Sequence, residues 1–267
     1  MPNLKILSLN VRGLRNAGKR KAIFSYLKNQ KASIFCLQET FSKKDDEKIW
    51  TSEWGGKILF SHGTEHVRGV CVMVNSNSLF QVECVEIDQE GRFIVAKLDE
   101  DHSIVNIYAP TDYRQQPAFI RTLSQLLMSK TNLSKVIREG DWNTPLSKLD
   151  KSGGLPWKET SYRNALVNLM KELNLTDVYR AIHPGTRTYT YESKSLRLKS
   201  RIDFFLVSKQ FNNHVIKTET RTSIAPDHKA ILLSLKIGNN LTREHGNNIQ
   251  YFENYRCLSA FTALKDL

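Results

Sequence analysis

Short runs of apolar residues recur along most of the chain, and turn-forming residues separate most of them. Ten runs have the length and composition of β-strands: 4–11, 33–38, 57–61, 69–75, 80–87, 92–98, 103–109, 134–137, 203–208 and 230–237. Helical spacing of apolar residues appears in three places: Ile23, Tyr26 and Leu27; Phe119, Ile120, Leu123, Leu126 and Leu127; and Leu166, Leu169, Met170 and Leu173. A few helices between long blocks of strands predict an α/β sandwich, in which two packed sheets are flanked by helices.

The chain has 267 residues, a length that allows one domain with a full core. The apolar pattern weakens after Ile237, where GNNLTREHGNN is polar and rich in turn formers. We therefore expect one domain over 1–237. Residues 238–267 are interpreted as a linker and the truncated start of a following region, because YFENYRCLSAFTALKDL has helix-like apolar spacing and then stops.

The chain is strongly basic, with a formal net charge of +12 and a pI near 9.5. Clustered Lys and Arg bind polyanions by releasing condensed counterions, so nucleic acid is the expected partner, ahead of an acidic membrane surface. A basic protein without such a partner would show the same charge. There is no CxxC spacing for zinc, no secretory signal and no apolar segment of membrane-spanning length, so we expect an intracellular protein without membrane contact.

The stretch REGDWNTP places Asp141 and Asn143 just after an apolar run. On an extended segment, residues two apart point the same way, so both side chains would face one spot at the mouth of a sheet. This arrangement suits a hard cation or a phosphate. A plain turn is the alternative, because Asp, Asn and Pro also form loops.

The segment GLRNAGKR at 13–20 resembles a phosphate-binding loop but has Arg20 where a Ser or Thr hydroxyl is needed, so we expect no nucleotide cofactor. Its basic residues could still bind a backbone phosphate beside Asn10, although a solvated helix face explains them equally. These residues are Arg12, Arg15, Lys19, Arg20 and Lys21.

Further polar residues stand at the ends of predicted strands: Asn10, Glu39, Asp203, Asp227 and His228. Each is ordinary alone, since such residues are usually turn formers or structural. Carboxylates and amides at several strand ends can nevertheless share one crevice, where α/β folds tend to bind ligands.

The motifs SLNVRG, LQET, NIYAPT, GDWNTPLSKLD, TDVYR, YTY, RIDFF and PDH occur in this order. Together they resemble the endonuclease/exonuclease/phosphatase family, and within it the apurinic-type endonuclease domain of long interspersed retrotransposons, over residues 4 to about 237. The resemblance implies a four-layered α/β sandwich of two mainly antiparallel sheets. It also implies cleavage of phosphodiesters with Mg²⁺, for which Mn²⁺ could substitute.

The resemblance also implies roles for individual residues. Glu39 would be the principal magnesium ligand, and Asn10 and Asp227 would complete or flank the metal shell, which Asp141, Asn143 and His228 adjoin. Asp141 would orient and deprotonate the attacking water, and Asn143 would hold a phosphate oxygen. His228, steadied by Asp203, would donate to the scissile phosphate, and Tyr108 would add a hydroxyl. The expected DNA contacts are Arg12, Arg15, Lys19, Thr190, Arg197 and Lys199, the last two in a hairpin (191–201) that leans into the minor groove.

Three residues depart from the family pattern. Arg138 and Glu139 place two charges at a strand end that is normally buried, and Pro226 replaces the Ser before the Asp-His pair. An extra carboxylate near magnesium could disturb the site.

The leading interpretation is an endonuclease that nicks one strand of double-stranded DNA to leave a 3′-hydroxyl, in the nucleus, as part of a polyprotein with a reverse transcriptase. Three alternatives remain: a repair nuclease for abasic sites or 3′ ends, a phosphatase for a small ester, and an inactive DNA-binding domain. The pattern indicates no particular oligomeric state.

Overall fold

The structure is a computed structural model, and it describes residues 3–64, 66–98, 102–129 and 135–236. The strands are β1 Asn3–Asn10, β2 Ile34–Gln38, β3 Ile58–Ser61, β4 Val70–Val74, β5 Glu83–Ile87, β6 Phe93–Lys97, β7 His102–Tyr108, β8 Lys135–Asp141, β9 Lys151–Gly153, β10 Leu175–Asp177, β11 Tyr191–Ser193, β12 Leu198–Ser200, β13 Asp203–Ser208, β14 Val215–Arg221 and β15 Ala230–Lys236. The helices are α1 Ala17–Asn29, α2 Glu47–Trp54, α3 Gln116–Ser129, α4 Ser161–Glu172 and α5 Val178–Ile182. The interpreted linker and following region, 238–267, lie outside the described residues, so the domain boundary stays a prediction.

Two six-stranded sheets form the centre of the fold, in the orders β14-β15-β1-β2-β4-β3 and β10-β13-β8-β7-β6-β5. Neighbouring strands are antiparallel except for β1 with β2 and β7 with β8. A small third sheet has the order β11-β12-β9. The predicted fold class, two packed and mainly antiparallel sheets flanked by helices, is confirmed.

Successive side chains of a strand point to opposite faces of the sheet, and this alternation produces the layers of the fold. Strand β1 is an example. Leu4 and Ile6 point between the two sheets, while Leu7 and Leu9 point to the opposite face, where α1 and α2 pack. The outer face of the second sheet packs in the same way against α3 and α4. Both faces of the central strands are buried, which is why they read as continuous apolar runs.

The ten predicted strands and three predicted helices all overlap elements of the structure. The strands β9 to β12 and the helix α5 were missed because they have three to five residues each. The edge strand β14 was missed because Thr, Lys, Glu and Arg dominate its sequence. None of the helices in the described part of the chain is long and apolar enough to cross a membrane.

A buried ion network supports the strand that carries Asp203. The guanidinium of Arg201 is 1% exposed and lies 2.7 Å from Asp150 and 2.5 Å from Asp177. Arg180 adds a second contact to Asp150, at 2.5 Å. The network connects the loop after β8 to β10 and α5. Its members come from three segments of the sequence, SKLD, TDVYR and RIDFF.

The two unusual charges on β8 point to opposite faces of the sheet. Arg138 shares the outer apolar face with Val136, and its Nε and Nη1 have no hydrogen-bond partner among the described residues. Glu139 faces the inter-sheet core with Ile137, and burial raises its pKa to about 8, so it is mainly protonated at neutral pH. Of the two, Arg138 therefore keeps a buried charge, and two of its guanidinium nitrogens have no hydrogen-bond partner among the described residues.

Two buried arginines should respond in opposite directions to the same substitution. Arg138→Met removes a buried guanidinium whose Nε and Nη1 have no hydrogen-bond partner among the described residues, and it should raise the free energy of unfolding by about 1–3 kcal/mol. Arg201→Met leaves Asp150 and Asp177 without their partner and should lower it by about 3–5 kcal/mol. Urea unfolding at pH 7 measures both, and a destabilised Arg138→Met would contradict our assignment.

The Arg201 network should also affect how the free energy of unfolding changes at acid pH. Burial opposes ionisation of Asp150, but Arg201, Arg180 and Ser147 outweigh it and lower its pKa below the ordinary value of 3.8. As the pH falls, Asp150 is protonated in the unfolded chain before it is protonated in the folded chain. Its contribution to the free energy of unfolding is therefore present above about pH 4 and is lost as the pH falls further. Arg201→Met should lose less free energy of unfolding than wild type between pH 5 and pH 3, as urea titrations at both values would show.

Candidate active site

Strand register brings three of the predicted site residues side by side. Asp141 ends β8, where its parallel neighbour β7 places Tyr108 opposite it. The antiparallel neighbour β13 places Asp203 opposite Asp141 on the other side. The site is therefore built on the ends of hydrogen-bonded strands, which fixes the spacing of these residues.

The residues on either side of Asp141 hold it in place. Gly140 has φ +134°, and a Cβ there would lie 1.9 Å from the carbonyl oxygen of Ile107, so a side chain cannot fit. Trp142 is fully buried and stacks on Phe204, with 5.6 Å between the ring centroids. Its indole Nε1 donates to the Phe204 carbonyl, at 3.2 Å. The tryptophan thus anchors the outer face while Asp141 faces the cleft.

The carboxamide of Asn10 joins the two sheets at the site. Its Nδ2 lies 2.9 Å from Glu39 Oε1 and 2.9 Å from Asp141 Oδ2, so it donates to carboxylates that belong to different sheets. Its carbonyl oxygen accepts from the backbone N–H of Arg12, at 3.1 Å. Asn10 therefore donates to both carboxylates in this structure, and its role as a metal ligand stays a prediction.

His228 is paired as predicted. Its Nδ1 lies 3.0 Å from Asp203 Oδ2, and its Nε2 lies 3.9 Å from Asp141 Oδ2. Burial alone would lower the pKa of His228, but the charge and hydrogen bond of Asp203, with Asp141 and Asp227, raise it to about 9. The imidazole is therefore protonated at neutral pH, and Nε2 carries a hydrogen into the cleft.

Of the two alternatives for the segment from Asp141 to Asn143, the structure shows the turn and not the extended segment, because Asn143 has φ +50°. The backbone N–H of Asn143 donates to Asp141 Oδ1, at 2.9 Å, and its side-chain Nδ2 donates to the Ala109 carbonyl, at 2.7 Å. An amide has two hydrogens, so one remains for a substrate oxygen. The turn therefore brings Asp141 and Asn143 close together and is itself part of the site.

Tyr108 keeps its hydroxyl proton. Burial raises its pKa far above the ordinary value, and the negative charges of Glu39 and Asp141 add to the effect. Arg92 lies over the ring, 5.3 Å from its centroid. The phenol is thus a neutral hydrogen-bond donor beside Glu39.

The donor set fits a divalent cation. Burial raises the pKa of Asp141 above its ordinary value, and the charge of the neighbouring carboxylate Asp203 raises it further. Asp227 lies 2.6 Å from Arg12 Nη1 through Oδ2, but its buried Oδ1 has no hydrogen-bond partner among the described residues. Glu39 is half-buried and adds a third carboxylate. Hard oxygen ligands with excess negative charge suit Mg²⁺ or Mn²⁺.

Asp141, Asp203 and His228 also form a close group, with one ligand atom from each within 4.8 Å of the others. We do not assign the cation to this group, because Asp203 and His228 are already joined by a direct hydrogen bond between Oδ2 and Nδ1.

The predicted DNA contacts divide into exposed and buried residues. Arg12, Arg15 and Arg197 are exposed, and Lys199 is half-exposed and lies 3.2 Å from Glu192. Lys19 is partly buried and donates to the Arg12 carbonyl, at 2.6 Å. Of these residues, Arg12 lines the cleft that holds Asp141 and His228, and phosphate contacts by the set stay a prediction.

Two residues of the predicted basic and DNA-contacting set lie elsewhere. Arg20 is buried and paired with Glu53, with 2.6 Å between Nε and Oε2, so it does not belong to the exposed cluster. Thr190 is fully buried, and its hydroxyl accepts from the backbone N–H groups of Ile202 and Asp203, both at 3.1 Å. Thr190 therefore positions β13 and cannot reach DNA from this location.

The segment 191–201 contains a hairpin, formed by β11 and β12. Its turn includes Arg197 in the left-handed region, at φ +45°, and Leu196 at the tip is 64% exposed. Strand β12 also pairs with β9, and Tyr191 forms a β-bridge with His228. The hairpin is thus attached directly to the site.

One supporting group escaped sequence analysis because its members lie far apart in the chain and look ordinary. His62 Nε2 lies 2.9 Å from Glu47 Oε1, and its Nδ1 lies 3.1 Å from Ser42 Oγ. Ser42 Oγ is in turn 3.1 Å from Thr40 Oγ1. This chain of hydrogen bonds supports the loop after Glu39, which has φ +52°.

The residues that line a cleft of about 610 Å³ include Glu39, Asp141, Asn143, Asp227 and His228, and the strand register places Tyr108 and Asp203 beside Asp141. Carboxylates for a cation, a protonated imidazole and an amide donor thus face one volume, with a neutral phenol next to them, as the hydrolysis of a phosphate ester requires. The fold and the site together define a phosphoester hydrolase.

The sequence matches the Endonuclease/Exonuclease/phosphatase family over residues 7–224, and the chain belongs to this family. It is 28% identical over 259 residues to "Transposon TX1 uncharacterized 149 kDa protein" of Xenopus laevis, a match that covers 92% of this chain and 19% of that protein. It is 24% identical over 261 residues to an exodeoxyribonuclease of Bacillus subtilis, with 88% of this chain and 100% of that protein covered. This chain thus spans about a fifth of the length of the Xenopus protein.

A solved structure has the same fold. AP endonuclease LMAP from Leishmania major superimposes with a TM-score of 0.74 at 19% identity, and the match covers 88% of each chain. The four-layered sandwich is therefore shared with a known nuclease structure.

Glycine should be required beside Asp141. Gly140→Ala would force a Cβ against the Ile107 carbonyl at a positive φ, and we expect a loss of at least about 3 kcal/mol of unfolding free energy. Gly185→Ala is the matched control, because a Cβ at Gly185 meets no heavy atom within 4 Å. Urea unfolding followed by circular dichroism compares the two, and equal stability of both variants would refute the proposed close contact of β7 with β8.

Proposed function

We propose that this chain is a Mg²⁺-dependent DNA endonuclease that nicks one strand of double-stranded DNA and leaves a 3′-hydroxyl. The observation that carries the proposal is the convergence of Glu39, Asp141 and the Asp203–His228 pair on one cleft, where Asn10 bridges two of the carboxylates. Similarity to the Bacillus exodeoxyribonuclease supports DNA as the substrate. Similarity to the TX1 protein supports the retrotransposon type.

Glu39, Asp227 and Asp141 are the residues that would hold the cation. When bound, Mg²⁺, or Mn²⁺ in its place, would polarise a phosphate oxygen and offset the negative charge that develops there. The unpartnered Asp227 Oδ1 is the atom in this set that most requires a partner.

The protein's own groups account for activation of the water. Asp141 takes a proton from water, whose oxygen forms a bond to phosphorus while the bond from phosphorus to the 3′ oxygen breaks. The leaving oxygen takes up a proton from solvent water and becomes the 3′-hydroxyl, and the phosphate stays on the 5′ side of the next nucleotide. His228 and Asn143 donate to the non-bridging oxygens, and Tyr108 adds a neutral donor.

A repair nuclease for abasic sites or 3′ ends is the second candidate, favoured by the match to the full length of the exodeoxyribonuclease. Its catalytic groups would be the same, so only the substrate distinguishes the two. We place the retrotransposon form in the nucleus, upstream of a reverse transcriptase that would extend the new 3′-hydroxyl. An inactive DNA-binding domain and a phosphatase for a small ester are the remaining alternatives.

Removing the cation-binding carboxylate should separate cleavage from binding. Glu39→Ala should reduce nicking of supercoiled plasmid at least about 100-fold, and Asp141→Ala should do the same, because each removes a group that acts on the reacting phosphate. DNA affinity should stay nearly unchanged in Glu39→Ala. Glu90→Ala, an exposed carboxylate outside the cleft, is the control and should nick normally.

The same assay tests the alternatives. EDTA should abolish nicking in wild type, and magnesium should restore it. Full activity of Glu39→Ala, or activity in EDTA, would overturn the assigned mechanism. Preference for an abasic oligonucleotide over intact plasmid would favour the repair nuclease, whereas binding without any cleavage would favour an inactive domain. Hydrolysis of a small phosphate ester alone would favour the phosphatase.

The hairpin should influence where DNA is cut. Proteins read the minor groove through its width, its A·T content and the ease of deformation. Replacing Arg197 and Lys199 with Ala should therefore redistribute nicks more than it lowers their total number. Lys48→Ala with Lys236→Ala removes the same charge from exposed positions elsewhere and should leave the pattern intact. Primer extension maps the nick ends, and an unchanged map with uniformly weaker bands would mean that the hairpin supplies charge only.

A further inference from the structure

The cleft extends beyond the polar cluster to an apolar rim that the proposed mechanism does not use. Leu155, Pro156 and Trp157 line the same cleft as Asp141 and His228. Leu155 is 83% exposed and Trp157 is partly exposed, although large apolar side chains are costly to leave in water. Rim residues of this kind in a nucleic-acid cleft are suited to contact with bases.

The rim is held in one conformation from both ends. Lys151 Nζ donates to the Leu155 carbonyl, at 2.5 Å, and Arg163 Nη1 donates to the Lys158 carbonyl, at 2.8 Å. Trp157 Nε1 donates to Glu159 Oε1, at 3.0 Å. The indole is therefore fixed in position without any ligand.

Arg163 also connects the rim to the catalytic turn. Its side chain is buried, and its Nε donates to the carbonyl of Pro145, two residues after Asn143, at 2.8 Å. Its guanidinium carbon lies 3.9 Å from the centroid of the Trp157 ring. One arginine thus sets the distance between the indole and the segment that holds Asp141.

We propose that Trp157 is a stacking platform for a nucleobase that flanks the scissile phosphate, with Lys151 and Lys158 beside the adjoining backbone. This inference rests on the proposed function, since DNA must occupy the cleft. Arg163 covers one part of the indole and makes the ring a rigid surface, and stacking on such a ring accepts any base. Trp157 would therefore contribute affinity and set the position of the strand, while the hairpin affects the choice of target.

The chain offers a direct readout of this contact. Of its four tryptophans, Trp50, Trp54 and Trp142 are at most 2% exposed, so Trp157 should account for most of the quenching by acrylamide. A duplex oligonucleotide added in EDTA at low salt should protect this emission in wild type. Protection should disappear in Trp157→Phe, which lacks the indole but keeps an aromatic ring.

Binding and cutting of the same duplex complete the test. Trp157→Ala should weaken DNA binding by about 5- to 100-fold, the usual range for loss of one stacked base, and Trp157→Phe should recover most of it. Leu79→Ala removes another exposed apolar side chain, outside the cleft, and should bind normally. Circular dichroism confirms that each variant is folded.

The outcomes distinguish this inference from the proposed function. If wild type binds the duplex while Trp157 stays fully quenchable, or if Trp157→Ala binds as well as wild type, the stacking role is wrong and the nuclease proposal is unaffected. If Trp157 is protected but magnesium supports no nicking, the nuclease proposal fails and the stacking role stands. If wild type binds no duplex DNA, both are overturned.

Discussion

The amide of Asn10 is the contact on which the geometry of the site depends. Each sheet brings one carboxylate to the cleft, Glu39 from the first and Asp141 from the second, and their charges repel. A single nitrogen donates to both, at 2.9 Å each, and so fixes the separation of the two sheets where the chemistry occurs. Charge-assisted hydrogen bonds of this kind are stronger than neutral ones. The shape of the cleft therefore depends on an interaction between the two sheets as well as on the strand register within each sheet.

The site carries a concentration of buried negative charge within a chain whose net charge is +12. Burial and, after it, the charge of Asp203 raise the pKa of Asp141, while burial opposes protonation of His228 and the neighbouring carboxylates outweigh it and raise the pKa of the imidazole. A cation would relieve the repulsion among these carboxylates. The backbone at the site is correspondingly unusual, because Arg12, Glu39 and Asn143 all have positive φ. Such conformations are disfavoured for residues with side chains and persist where surrounding contacts enforce them.

Sequence patterns predicted the central strands and the polar residues at their ends, because a strand buried on both faces leaves an unmistakable apolar run. The same reasoning could not place Thr190 and Arg20, whose burial depends on contacts with Asp203 and Glu53 that lie far away in the chain. It also could not give the orientation of the Asn10 amide, because the two carboxylates that the amide contacts lie across the fold. For the segment at Asn143, the sequence allowed both an extended segment and a turn, and the structure shows the turn.

The departures from the family pattern on β8 affect the fold differently from the site. Glu139 is two residues from Asp141 and points to the same face, yet it lies between the sheets near Gln38, and burial favours its neutral form. A neutral acid adds little charge to a cation site. Arg138 points to the opposite face, away from the cleft. Meanwhile Asp141 keeps its register with Tyr108 and Asp203, and its hydrogen bond from Asn10. Arg138 is therefore the residue of the two that we expect to affect stability, and the register and hydrogen bond that hold Asp141 are maintained beside both.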